Sequence, residues 1–165
     1  MHRQENHLIY NLRRRQYMKR TFEDAVVDVQ GKMVSLCLEA LDIVKAKADM
    51  IGIYCYNEHG AIYFDAFFVQ GNEAKQRHEV GIRWNLAREF QLAGIEYIEE
   101  LVKVCKDYSR PAPTEMRLWY VPKTRRFKAE YKYDQVINID IETKLSVDVF
   151  GEWMAQEQKQ LDAGK

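Results

Sequence analysis

The chain has 165 residues, with 25 Lys and Arg balancing 25 Asp and Glu. That length suits one domain with a substantial core, and a net charge of zero argues against a uniformly basic nucleic-acid-binding surface. No apolar run is long enough for a transmembrane helix. The opening MHRQENHLIYNLRRRQYMKR lacks the apolar centre and small-residue cleavage site of a secretory signal, so a cytoplasmic protein is expected.

Charge is unevenly placed along the chain: residues 1–20 and 110–133 are basic, whereas 21–60 and 134–165 are acidic. Residues 1–20 read as a basic arm, with Arg13, Arg14, Arg15, Lys19 and Arg20 following His7-Leu8-Ile9-Tyr10, and residues 21–165 as a single α+β domain. Thr21 is placed to cap a helix, with Asp24 three residues on. Phe22, Val26, Val29, Met33, Leu36, Ala40 and Ile43 then recur at spacings of three and four, which predicts an amphipathic helix to about Lys47. Gly31 weakens that helix and marks a close contact or an irregularity.

Met50–Val69 predicts a β-hairpin with Asn57–Gly60 as its turn. Both faces carry aromatic residues, as suits a central strand or one whose outer face meets a partner. Asp65 stands among large side chains, where a hydrogen bond to a neighbour explains it as well as catalysis does. Gln70–Gly81 is polar and reads as a connector. A second helix is predicted from Ile82 to Asp107, turning Leu86, Phe90, Ala93, Gly94, Ile98, Leu101, Val102 and Cys105 inward and Tyr97, Glu96, Glu99 and Glu100 elsewhere. Pro111 and Pro113 end it.

The clearest hairpin signal is TEMRLWYVPKTRRFKAEYKY, Thr114–Tyr133. Met116, Leu118 and Tyr120 alternate with Arg117 and Trp119, and Phe127, Ala129 and Tyr131 alternate with Lys128, Glu130 and Lys132. Asp134–Asp140 is a candidate for one more short strand, at an edge, or a loop. Val147, Phe150, Trp153 and Met154 predict a closing helix from Lys144 to Leu161. The sum is α-ββ-α-ββ-α: an antiparallel sheet with long amphipathic helices on one side and the other side left free to meet a protein.

Catalysis leaves little trace. There is no phosphate-binding glycine loop, no histidine pair around a glutamate and no serine elbow, so neither an enzyme nor a cofactor is expected. Cys37, Cys55 and Cys105 are widely spaced among apolar neighbours and read as buried thiols. Cys55 with His59 is an accidental pairing, and His59 and His78 lack ligand spacing for a metal. Arg117, Lys123, Arg125, Arg126, Lys128 and Lys132 beside Trp119 resemble a nucleic-acid platform, but charges also solvate an open sheet face, which is the stronger reading.

Protein binding is the class that remains. Trp84, Tyr97 and Trp119 are candidate anchors, although each also suits a core. Asp134, Asp140, Glu142, Asp148 and Glu152 form an acidic set suited to a basic partner. Self-pairing through an aromatic face, giving a homodimer, stays open. The order helix, aromatic hairpin, helix, proline break and strand pair, carried by RPAPTEMRLWYVPKTRRFKAEYKYD and more loosely by IYCYNEHGAIYFDAFF, resembles the YezG-like antitoxin family of bacterial immunity proteins. The resemblance covers about residues 22–155. It implies a protein that neutralises a cognate toxin, often a nuclease, by direct contact and without catalysis. A general protein-binding domain, a nucleic-acid-associated module and an unrecognised enzyme are the alternatives.

Overall fold

The computed structural model describes residues 20–164, so the basic arm of residues 1–20 falls almost wholly outside the described residues. Thr21 caps helix α1, Phe22–Ile43, accepting the Asp24 amide at 3.1 Å on its hydroxyl oxygen. The helix stops short of the expected Lys47 because Lys45 takes a left-handed φ of 55°, and Ala46 donates back to the Leu41 carbonyl at 2.9 Å. Ile43, expected inward, is consequently 66 % exposed in the last turn. Nothing lies within 4 Å of where a side chain would stand on Gly31, so no internal contact requires that glycine.

Strands β1, Met50–Glu58, and β2, Ala61–Gln70, form the expected hairpin. Its turn is narrower than predicted: only His59 and Gly60 connect the strands, with φ of 56° and 73°, the double left-handed geometry of a type I′ turn. The expected polar connector contains a third strand, β3, Glu73–Gln76, paired to Phe67–Gln70. Gly71 and Asn72, at φ of 57° and 69°, make a second two-residue turn of the same kind. A short 3-10 helix, Arg77–Val80, leads to helix α2, Trp84–Asp107. Strands β4, Glu115–Val121, and β5, Arg126–Lys132, then form the second hairpin, and helix α3, Ser146–Ala163, closes the chain.

The five strands make one antiparallel sheet in the order β3-β2-β1-β4-β5. Helices α1 and α2 cover one side, where Ile51, Ile53, Phe64, Phe68, Met116 and Leu118 meet Val29, Met33, Phe90 and Ile98. Burying these side chains removes their apolar surface from water, the main term holding this layer together. Gly94 lets α2 come down onto Phe64, since a Cβ there would run into that ring.

The other side of the sheet is not free, contrary to the sequence reading. Tyr54, Phe67 and Val69 alternate to that side and are capped by Val149, Phe150 and Trp153 of α3. The Trp153 ring lies edge-on to Phe67 at 4.8 Å and to Trp119 at 5.3 Å. The fold is thus a sheet between a helix pair and a single helix. That single helix packs against β1, β2 and β3 and touches β4 through Trp153 on Trp119, leaving the β5 end of its side open.

The strand considered for Asp134–Asp140 does not form. Backbone donors are taken elsewhere: within the segment Val136 and Ile137 donate to Glu58 and Asp140 to the Asn138 side chain, and just beyond it Ile141 and Glu142 donate to the Asn138 carbonyl. Val147, expected inward, is 48 % exposed because α3 begins at Ser146 and its buried face runs through Val149, Phe150 and Trp153.

Candidate functional site

Residues 134–147 form an arch from the end of β5 to the start of α3. It is pinned at Ile137, which is buried against the α3 side of the sheet, and again at Val149 and Phe150. Between the pins the chain is open to water. Ile139 is 61 % exposed, Ile141 79 %, Leu145 64 % and Val147 48 %. A cluster of large aliphatic side chains that the fold does not cover is the kind of surface that a partner buries.

Acidic groups are interleaved with them, and Asp134, Asp140, Glu142, Asp148 and Glu152 are all exposed. Asp148 accepts the Leu145 amide at 2.8 Å and so starts α3, where a carboxylate also suits the helix dipole. Glu152 holds Lys144 at 2.8 Å. The hydrogen bond that Lys144 donates to Glu152, reinforced by Glu142 and Asp148, pushes the Lys144 ammonium above the usual lysine range. The Asp140 carboxylate makes no ion pair among the described residues, while its backbone amide bonds the Asn138 side chain at 3.1 Å. The Asp134 backbone carbonyl accepts the Thr114 hydroxyl at 2.7 Å, fixing the entry to the arch.

The three aromatic candidates do not share a surface with each other. Trp84 is 88 % exposed at a φ of 55°, where the chain enters α2. Tyr97 is half-buried against the core of the helix-pair side. Trp119 lies on the opposite side, its ring under the Lys128 ammonium at 4.6 Å and against Trp153. With Arg117, Lys128, Trp153 and Glu157 it lines an open groove of about 640 Å³. Two of the cations there have internal partners: Arg117 stands 2.9 Å from Glu115 and over Trp153, and Lys128 is 3.1 Å from Glu130.

The chemically suggestive groups of the sequence are held within the fold. Asp65 accepts the Tyr63 hydroxyl at 2.7 Å and the Ala66 amide at 2.8 Å, with Arg77 at 3.5 Å. Burial raises its carboxyl above the ordinary aspartate range, partly offset by those three partners. Cys55 faces the Met33 sulfur at 3.7 Å, and burial pushes its thiol up. His59 instead reaches the Ile137 carbonyl at 2.9 Å. Among the described residues no group of three or more His, Cys, Asp and Glu could hold a metal ion.

No family model matches the chain, and no curated protein matches it. No helix among the described residues is long and apolar enough to cross a membrane. The exposed aliphatic set is not evident in the sequence, where Val147 falls on the expected buried face of the closing helix and Asp134–Asp140 reads as a candidate edge strand or loop. The available signal was the alternation Ile139-Asp140-Ile141-Glu142, which has acids where a covered edge strand would need a neighbour.

Proposed function

We propose that this chain is a non-catalytic inhibitor, an antitoxin or immunity protein that neutralises a cognate toxin by direct contact in the cytoplasm. The observation that carries this reading is the arch, which exposes Ile139, Ile141, Leu145 and Val147 amid Asp134, Asp140, Glu142, Asp148 and Glu152. Apolar anchors supply most of the affinity at such a contact, and surrounding charge supplies rate and specificity. The partner it fits has a basic surface with an apolar depression. A nuclease meets that description, because it carries Lys and Arg to hold phosphates. The resemblance of the two hairpins to the YezG-like antitoxins points to the same class. Free, buried Cys37, Cys55 and Cys105 suit a reducing compartment.

The test is rescue of cells expressing a candidate toxin domain from the gene beside this chain's own, combined with titration of the purified pair. The proposal expects rescue, and binding that weakens with salt and with the double reversal Asp140→Lys, Glu142→Lys by at least about tenfold, mostly in the association rate. Rescue and affinity untouched by that reversal would contradict it.

A further inference from the structure

The arch is held at its root by the turn of a hairpin nearly eighty residues earlier. The Glu58 side chain, 7 % exposed, accepts the Val136 amide at 2.8 Å on one oxygen and the Ile137 amide at 3.0 Å on the other. Tyr56 donates its hydroxyl to the same carboxylate at 3.3 Å. His59 completes the arrangement, its Nε2 standing 2.9 Å from the Ile137 carbonyl and 3.2 Å from Glu58 Oε1. Both neighbours of that nitrogen are acceptors, so Nε2 carries the proton and donates.

The backbone of His59 sets where its ring goes. Its φ of 56° lies in the left-handed region that the type I′ turn requires and that histidine adopts more readily than most residues. Here the ring spans from the β1–β2 turn to the backbone of the arch, at the residue immediately before its exposed part. Ile137 is itself 3 % exposed, so one buried side chain and three hydrogen bonds to its neighbourhood stop the root from moving.

We infer that Glu58 and His59 are positioning residues for partner recognition: a clasp that presets the arch, so that Ile139 and Ile141 meet the partner without first being ordered. This rests on the proposed function for its partner, but the clasp itself can be measured without one. A loop held in its bound form loses less conformational freedom on association, which strengthens binding without any added contact. Neither clasp residue needs to touch the partner.

The experiment is residue-resolved amide exchange on the full chain, with Glu58→Gln and His59→Asn compared with the wild type. Glu58→Gln keeps the shape of the side chain but turns a donor toward an amide, and His59→Asn keeps a residue that tolerates the left-handed turn but is too short to bridge. The clasp expects the Val136 and Ile137 amides to exchange at least about tenfold faster in Glu58→Gln and Ile137 to loosen in His59→Asn. Amides in the middle of β1 and β2, such as Ile53 and Phe64, should keep their wild-type rates. Unchanged exchange at Val136 and Ile137, or acceleration spread over the whole hairpin, would overturn the clasp. With the toxin partner added, both variants should bind at least about tenfold more weakly, and wild-type affinity in a variant with a loosened root would overturn the positioning role. Failure of the wild type to bind that partner would remove the proposed function, leaving the exchange result to decide the clasp alone.

Discussion

Strand β4 of the second hairpin and the arch lie close together in the chain and share a pattern, apolar residues alternating with charged ones, yet they end in opposite states. In β4 the alternation puts Met116 and Leu118 at 1 % and 0 % exposure, beneath the helix pair. In the arch it puts Ile139 and Ile141 into water. The difference is a neighbour for the backbone. Strand β4 is laddered between β1 and β5, whereas the arch finds Glu58 and Asn138 waiting for its amides and so never joins the sheet. Alternation thus makes a strand only where a free edge accepts it. Where the amides are taken first, the same pattern produces an exposed, fixed surface.

The largest expected effect breaks the comparison on its buried side. Leu118→Ala should destabilise the fold by about 2–5 kcal/mol in a denaturant titration, since the cavity forms under two helices. Ile141→Ala should leave stability within about 0.5 kcal/mol, because there is no packing to lose. A comparable loss in both would mean that the arch packs as the hairpin does.

The smallest effect is with pH and sharpens the same contrast. Burial works to raise the Glu58 carboxyl, but the Ile137 and Val136 amides, with His59 and the Tyr56 hydroxyl, outweigh it and hold the group below its ordinary value of 4.5. A carboxyl lowered in the fold stabilises above its unfolded pKa, and that contribution is lost as pH falls through the folded one. Acid below about pH 4.5 should therefore free the Ile137 amide before the ladder of β1 and β2 opens, as amide exchange would register. Simultaneous opening of both would remove Glu58 as the local cause.

Much of the architecture could be read from periodicity. The helix stripe from Phe22 to Ala40, the two hairpins and the proline break all follow from spacing that local physics enforces. What escaped was decided by tertiary contact. The stop of α1 depends on a left-handed Lys45, and β3 on the Gly71-Asn72 turn, a recognisable signal inside a segment that otherwise looks like a connector. Covering of the second sheet side was less legible, because Trp119 and Tyr54 look as much like partner anchors as like the bed for Trp153. The acids of the candidate surface were visible as charge. Its aliphatic residues were not, because their exposure depends on where the amides of Val136 and Ile137 find acceptors.

The most direct measurement is an amide-exchange footprint of the chain in complex with the toxin partner proposed for it. The account predicts new protection concentrated in residues 138–147, with the open groove at Trp119 and Lys128 and the outer side of α2 at Trp84 unchanged. Protection confined to that groove or to α2, with the arch exchanging as freely as in the unbound chain, would contradict it.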